Sequence, residues 1–237
     1  MTDIPKVLYP NQPLVEVVFE LRFPGEMAVE CDRHIFWEKV RADYSAIFVP
    51  TAEPNRPLAL RPYRFERADK TAGISIAINS FALYVRQYEG YIAFRREFLK
   101  LLQLFTETFH VEKVNRAGWR YINIIPYVRE NGVIPLDRFL NLGVKVPTSI
   151  PENFSNLTLL FESKTDRGTV TTRLQSMTRQ DSGQEALLLD FDFGCEGDSL
   201  QFAEVPHCME VAHECTSGLF EAFITEEYRT YLKGDVL

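Results

Sequence analysis

The sequence lacks the features that mark membrane and secreted proteins. Among its 237 residues no run approaches the roughly 20 consecutive apolar residues that span a bilayer. The first residues, MTDIPKVLYP, hold no apolar stretch after a basic start, so no signal peptide is predicted. Its four cysteines, Cys31, Cys195, Cys208 and Cys215, lack the CxxC spacing of metal and redox motifs. We therefore expect a cytoplasmic protein with free thiols that does not associate with a membrane.

Motifs for cofactors and catalysis are also missing. The sequence contains neither a glycine-rich phosphate loop nor a dinucleotide-binding motif. His34 and His110 have no serine or cysteine beside them in a recognisable nucleophile motif. A net charge of -7 works against binding to nucleic acid. The sequence thus predicts no cofactor, makes nucleic acid an improbable partner, and leaves open whether the chain is an enzyme.

What is present is the composition of an ordinary globular protein. Apolar residues make up 46% of the chain and charged residues 25%, which argues against disorder and coiled coils. The length is sufficient for one large domain or for two small lobes that share an interface.

The periodicity of apolar residues predicts an α+β fold. Alternation of apolar and polar residues indicates strands, and apolar residues three or four positions apart indicate helices. The predicted strands cover residues 14–23, 58–66, 74–78, 81–88, 118–127, 157–163, 169–178 and 186–193, and the predicted helices cover residues 32–48, 91–109, 135–142 and a segment from about residue 207.

The order of these elements suggests an internal duplication. Residues 1–113 and residues 114–237 each follow the order β-α-β-β-β-α, within one continuous domain or as two units. We expect one curved antiparallel sheet, or two abutting sheets, with the long helices packed on one face. Val17, Phe19 and Leu189 should then be buried beneath the helices. The element order is similar to duplicated saddle or helix-grip folds, an analogy that does not fix function.

The stretch HCMEVAHEC, residues 207–215, resembles a metal site at first sight. On a helix, however, Cys208 and Cys215 fall on one side while His207 and His213 fall on the other, so four ligands cannot converge on one ion. The two cysteines are separated by about two turns, roughly 10 Å, which is too far for a disulfide. We expect no metal, buried cysteines, and histidines on a solvated or interface face. A site formed by His207, Glu210 and Glu214 with help from elsewhere is a weak alternative.

Charged residues on the strands define the candidate binding site. If helices cover one face of the sheet, polar side chains of alternate parity project from the other face. Arg116 and Arg120 lie four apart on one strand and could address one ligand. The candidate ligand-binding residues are Glu16, Glu20, Arg116, Arg120, Asn123, Arg173, Asp190 and Asp192.

Three functions are compatible with these residues. The first is a binding or interaction protein that self-associates or holds a protein partner. The aromatic residues Trp119, Tyr121 and Tyr127 would anchor such an interface, unless they are part of the core. The second is a divalent-cation-dependent enzyme acting on a phosphorylated substrate, with Asp190 and Asp192 holding the ion. The third, nucleic-acid binding, is disfavoured by the charge. A solvated face with cross-strand ion pairs would explain the same pattern without a ligand.

Four stretches, PLVEVVFELRF, YEGYIAF, RAGWRYINIIPY and AHECTSGLFEAFITEEYRTYLKG, carry a resemblance. Together they resemble a sporadically distributed family of uncharacterised prokaryotic proteins of about this length. That family has a strand motif R-x-G-x-R-Y-I-N and a closing helix with a histidine followed by F-x-x-x-I-T. The matching residues are Arg116, Gly118, Arg120, Tyr121, Ile122, Asn123, His213, Phe220, Ile224 and Thr225. The chain departs from the family at Ile92 or Ala93, where a tryptophan is common. The resemblance implies no activity and supports the element boundaries.

Overall fold

The computed structural model describes residues 8–51 and 61–234, with the backbone alone for residues 196–199. Within these ranges the chain has the predicted α+β fold, with a curved antiparallel sheet of nine strands and the helices packed on one of its faces. Along the chain the elements are β1 (Leu14–Arg22), α1 (Met27–Cys31), α2 (Arg33–Val40), β2 (Ala46–Phe48), β3 (Tyr63–Glu66), β4 (Ala72–Ala77), β5 (Ser80–Val85), α3 (Tyr91–Phe109), β6 (Val114–Pro126), α4 (Leu136–Phe139), β7 (Thr158–Lys164), β8 (Thr169–Thr178), β9 (Glu185–Leu200), α5 (Val205–Phe223) and α6 (Glu226–Leu232).

One continuous sheet joins the two predicted halves. Its strand order is β2-β3-β4-β5-β1-β6-β9-β8-β7, so β1 and β6 pair across the boundary between residues 113 and 114. Counted outward from this pair, the order β1, β5, β4, β3 on one side corresponds to β6, β9, β8, β7 on the other. The correspondence agrees with a duplication, which stays a prediction because element order alone does not demonstrate it.

The larger apolar core lies between β1, β5 and the long helix α3. Phe19 of β1 meets Phe98 of α3 edge to face at 4.7 Å between ring centroids. Phe81 of β5 stacks on Phe105 at 4.5 Å. Residues from the second half, including Phe193, belong to the same cluster, so this core crosses the predicted boundary. Such aromatic contacts add about 0.5–1.5 kcal/mol per pair beyond the burial of apolar area.

A smaller core lies beneath α4, α6 and the end of α5. It contains Leu174, Leu189 and Ile224, and the ring of Tyr228 packs edge to face against Phe139 at 5.3 Å. Thr225 begins α6 by accepting a hydrogen bond from the Tyr228 backbone N–H on its side chain, as expected of an N-cap. The predicted burial of Val17, Phe19 and Leu189 is confirmed, since none of the three is exposed.

The predicted helix over residues 32–48 is wrong in its second part. Within the segment the helix α2 ends at Val40, a separate short helix α1 precedes it, and Ile47 lies in strand β2, where it is exposed. The apolar residues of this segment recur at helical spacing up to Tyr44. The residues from Ala46 to Phe48 pair with β3 as strand β2 and so do not continue the helix. Residues 58–60 of the predicted strand 58–66 lie outside the described residues.

A β-bulge corrects the predicted parity at the start of β1. The register between β1 and β6 shifts between Leu14 and Glu16, so Val15 is not part of the buried set and is exposed. A bulge inserts one extra residue, which breaks the two-residue period locally. No helix in the described part of the chain has both the length and the apolar character needed to cross a membrane.

Candidate functional site

The uncovered face of the sheet carries most of the predicted site residues. On β6, Trp119 and Tyr121 face the helices, so Arg116 and Arg120 project from the opposite face because side chains alternate along a strand. Asp190 and Asp192 of β9 lie on this same face and bind these arginines. We call the uncovered surface formed by β1, β6, β9, β8 and β7 the open face.

Arg116 forms the centre of an ion-pair chain on the open face. Its Nη2 donates to Asp192 Oδ1 at 2.5 Å, and its Nη1 lies 3.8 Å from Glu20 Oε1. Glu20 in turn accepts a hydrogen bond from Arg22 Nε at 2.6 Å. The three strands β1, β6 and β9 are therefore cross-linked by charged side chains that neutralise one another.

Two glycines make room for Arg116. A side chain at Gly118 would place its Cβ 2.8 Å from Arg116 Cζ, and one at Gly194 would place its Cβ 2.9 Å from Arg116 Nε. Both distances are shorter than van der Waals contact allows. Gly118 in the strand motif is thus explained by the guanidinium that lies across it.

Arg120 and Asp190 form the most buried ion pair of the open face. The guanidinium donates from Nε to Oδ1 at 2.8 Å and from Nη2 to Oδ2 at 2.6 Å, so both carboxylate oxygens are bound. The side chain of Asp190 is only 7% exposed, whereas that of Arg120 is 41% exposed. The hydrogen bonds that Arg120 donates to Asp190 raise the pKa of Arg120 further above its usual value. This bidentate geometry is the strongest form of an arginine–carboxylate contact.

Glu16 belongs to a second network at the other end of β1. It accepts a hydrogen bond from Arg86 Nε at 3.2 Å, and Arg86 Nη2 also lies 3.5 Å from Glu66 Oε1. Tyr84 donates its hydroxyl proton to Glu66 at 2.6 Å. Burial, together with this carboxylate, raises the pKa of Tyr84 well above its usual value.

Two of the predicted residues lie apart from these networks. Asn123 is buried on the helix side of the sheet, where its Nδ2 donates to the backbone oxygen of Leu189 at 3.1 Å. It therefore stabilises the pairing of β6 with β9 and cannot meet a ligand on the open face. Arg173 of β8 lies opposite Asp190 in register and is exposed. In the described part of the chain it makes no ion pair.

Neither Asp190 nor Asp192 is free to bind a divalent cation. Asp190 is bound by Arg120 and Asp192 by Arg116, so an ion held by these two carboxylates would have to displace two guanidinium groups. Among the side chains that the structure describes, no group of three or more histidine, cysteine, aspartate or glutamate residues is placed to hold a metal.

A second cluster, which the sequence did not predict, lies between β6, α3 and α5 around His213. The Nδ1 atom of His213 is 2.8 Å from the Tyr121 hydroxyl, and that hydroxyl is 3.1 Å from the hydroxyl of Tyr88. The imidazole stacks flat on Tyr91, with ring centroids 4.2 Å apart and an interplanar angle of 3°. Trp119 contacts the rings of this group from the sheet and is fully buried.

Both histidines were predicted on a solvated or interface face; His207 is exposed, whereas His213 is half-buried and packs against Tyr91 and Tyr121 of the same chain. The most buried positions of α5 are Val205, Met209, Ala212 and Thr216, so its buried stripe lies between the cysteine side and the histidine side. The cysteines and histidines face opposite ways, as predicted. Because the helix is rotated about its axis so that its buried stripe lies between these two sides, both Cys208 and His213 border the core. The roll is set by the neighbours of α5 on either side, which the helix's own sequence does not specify.

Burial keeps the His213 cluster uncharged at neutral pH. It lowers the pKa of His213 to about 4 and raises the pKa of Tyr121 to about 12. The Nδ1 atom of His213 lies 2.8 Å from the Tyr121 hydroxyl and 3.2 Å from the Ser217 hydroxyl, so Tyr121 is the nearer of its two hydrogen-bond partners. The cluster is a hydrogen-bonded element that fixes α5 on β6.

The central contact of this cluster joins residues that are distant in sequence. Tyr121 from the middle of the chain and His213 from near its end meet directly, 92 residues apart. The periodicity of either element does not reveal this contact, so the sequence pattern gave no signal for the cluster.

Two open cavities lie at opposite ends of the helical layer. One, of about 540 Å³, is bordered by residues that include Tyr127, Arg138 and Tyr231. The other, of about 580 Å³, is bordered by residues that include Cys195 and Cys208. Neither includes a residue of the predicted charged site. Comparisons of the sequence with protein-family models and with curated proteins find no match in either set.

Proposed function

We propose that this chain is a cytoplasmic binding protein that associates with a second copy of itself through strand β7 and the adjoining open face. The observation that carries the proposal is the position of β7 (Thr158–Lys164) as the last strand of the sheet, paired on one side with β8. An edge strand presents backbone donors and acceptors to another chain, and natural proteins normally shield such edges.

Exposed apolar side chains on β7 support this proposal. Leu160 is 58% exposed and Phe161 is 39% exposed, although they are neighbours on a strand and point to opposite faces. The exposed Arg173 lies opposite Leu160 on β8 and adds a free cation to the same patch. A strand that exposes apolar groups on both faces is a typical site of strand addition.

Charge complementarity favours a second copy over an unrelated partner. Antiparallel pairing of two β7 strands about a twofold axis at Ser163 places Glu162 of each copy opposite Lys164 of the other. Each such opposite-charge pair stabilises a sheet by about 0.2–1 kcal/mol, and the symmetry forms it twice. This register pairs residues 162–164 of the two copies, so the self-complementarity lies in backbone and charge at the end of β7, and Leu160 of each copy lies next to the paired residues, opposite Asp166 of the other.

The alternative, a cation-dependent enzyme, has less support. It needs carboxylates that are free to bind an ion, and both Asp190 and Asp192 are neutralised by arginines. A binding protein needs no free carboxylates. In a binding protein, the paired charges of the open face would hold the strands together and so support the β7 edge.

A charge-swap series tests the proposal by light scattering of the full chain after size-exclusion chromatography. We expect a dimer for the parent, weaker dimers for Glu162→Lys and Lys164→Glu, and a restored dimer for the double variant. Leu160→Glu should also weaken the dimer, whereas Ile92→Glu, at a residue 74% exposed on α3, should leave it unchanged. A parent that stays monomeric at about 100 μM, or a double variant no better than the single ones, would show that the proposal is wrong.

A further inference from the structure

The cavity beside the first turns of α5 brings together two cysteines that are distant in sequence. Cys195 lies on β9 and projects from its helix face, in phase with the buried Phe193. Cys208 lies one turn into α5, on the flank of the helix that faces β9. Both border the same cavity of about 580 Å³, both are free thiols, and each influences the ionisation of the other.

We propose that Cys195 and Cys208 form an oxidisable dithiol site that reacts with a hydroperoxide and closes to a reversible disulfide between β9 and α5. The sequence alone did not indicate this pair, because the twelve residues between the two cysteines carry no redox motif. Only the packing of α5 on β9 places the thiols together. The proposal is independent of self-association through β7, which lies at the edge of the sheet.

The surroundings assign different roles to the two sulfurs. The thiol proton of Cys195 has two acceptors within reach, the Arg167 backbone oxygen at 3.7 Å and the sulfur of Cys208. Donation to Cys208 favours the thiolate there and lowers its pKa, while it raises the pKa of Cys195. Cys208 also lies near the N-terminus of α5, where the helix dipole favours negative charge. Cys208 is therefore the attacking thiolate and Cys195 the resolving thiol.

The reaction balances with a hydroperoxide as the only oxidant. The Cys208 thiolate attacks the terminal oxygen of ROOH; the O–O bond breaks, an S–O bond forms, and the alkoxide that leaves takes up a proton to give ROH. The sulfur of Cys195 then attacks the sulfur of the Cys208 sulfenic acid. An S–S bond forms, the S–O bond breaks, and the departing hydroxide takes the Cys195 proton as water. Two thiols are oxidised and one peroxide is reduced.

The other two cysteines serve as internal controls. Cys31 is exposed on α1, away from this cavity, so it should be modified by oxidants without forming an intramolecular bond. Cys215 is the competitor, because it also lies close enough to Cys195 to influence its ionisation. A disulfide from Cys195 must therefore be assigned to one of two partners.

Peptide mass spectrometry of the folded full chain after treatment with hydrogen peroxide tests the assignment. We expect a mass lower by two hydrogens, a linked peptide that joins Cys195 to Cys208, and complete return to the thiols with a dithiol reductant. The Cys31→Ser, Cys215→Ser double variant, which keeps only the proposed pair, should form the bond as the parent does. Cys208→Ser should lose both the linked peptide and any shift of the urea unfolding midpoint that oxidation causes in the parent.

The proposal is overturned by any of three results. These are a peroxide-treated parent without an intramolecular bond, a bond that joins Cys195 to Cys215, and a bond that forms only after urea has unfolded the chain. Because none of these results depends on oligomeric state, a failure here leaves the proposed self-association intact, and the reverse also holds.

Discussion

Replacement of Arg120 by alanine should destabilise the protein more than replacement of its partner Asp190 by asparagine. Arg120→Ala leaves a carboxylate that is 7% exposed without its two charge-assisted hydrogen bonds. Asp190→Asn leaves a guanidinium that is 41% exposed, which water can solvate. The asymmetry follows because an unpaired charge costs most where it is least hydrated.

The magnitudes follow from this difference in burial. Removing one partner of a buried ion pair costs about 3–5 kcal/mol, and we expect Arg120→Ala near the lower end because water can enter from the open face. Asp190→Asn removes hydrogen bonds to a charged group, which contribute about 1.5–3 kcal/mol, but the amide keeps one acceptor. Arg173, opposite Asp190 in register, can reach toward the orphaned carboxylate, so Arg173→Ala should add to the loss only in the Arg120→Ala background.

Urea unfolding at constant m-value measures these free energies. Arg22→Ala is the control, because Arg22 is 58% exposed in its pair with Glu20 and should contribute under about 1 kcal/mol. The reasoning fails if Arg120→Ala costs less than about 1 kcal/mol, or if Asp190→Asn proves the more damaging change.

Two further predictions concern the His213 cluster and the glycines. The pKa of His213 is about 4 in the fold against 6.5 when unfolded, so the unfolded state binds more protons below pH 6.5 and stability falls as the pH drops. Between pH 7.5 and 5.5 the free energy of unfolding of the parent should fall by about 1.3 kcal/mol because of this group. His213→Gln should remove this pH dependence and His207→Gln should keep it. Urea unfolding midpoints measured across the pH range test both expectations. Gly118→Ala should lower the free energy of unfolding by about 1–3 kcal/mol because it displaces Arg116. Gly218→Ala, in the helix interior with open space around it, should raise that free energy by about 0.5–1 kcal/mol. Equal effects of the two variants in thermal unfolding would contradict the steric argument.

The sequence predicted the fold well because alternation and helical spacing are local properties. The long helix Tyr91–Phe109 and the strand Thr169–Thr178 have the predicted bounds, and Phe19 is buried on the predicted face. The errors lie where non-local pairing decides, as at Ile47, which β3 draws into the sheet. A three-residue strand has no periodicity long enough to compete with the helical pattern before it.

The sequence predicted which charged residues lie on the open face but not which of them pair with one another. Arg120 lies directly opposite Asp192 in register, yet its guanidinium binds Asp190, the diagonal neighbour. Strand twist makes the two diagonals unequal, so the choice of partner depends on the assembled sheet. Asn123 was placed with the charged set because the motif contains it, although its parity on the strand is that of Tyr121 and puts it under the helices.

The hydrogen-bond and ion-pair partners of the β6 side chains indicate which surfaces of the protein can still bind a ligand or a partner. Arg116 and Arg120 hold the acids of β9 on one face, and Tyr121 and Asn123 hold His213 and the Leu189 backbone on the other. A strand whose polar groups are bound within the chain stabilises the fold, and a ligand would have to break those bonds before it formed its own. Groups that are available without this cost lie at the periphery, on the edge of β7 and at the thiol cavity. If a ligand were instead found on the open face, its affinity should be lowered by the cost of breaking the Arg120–Asp190 or Arg116–Asp192 pair, so a variant that already lacks that pair should bind the ligand more tightly than the parent.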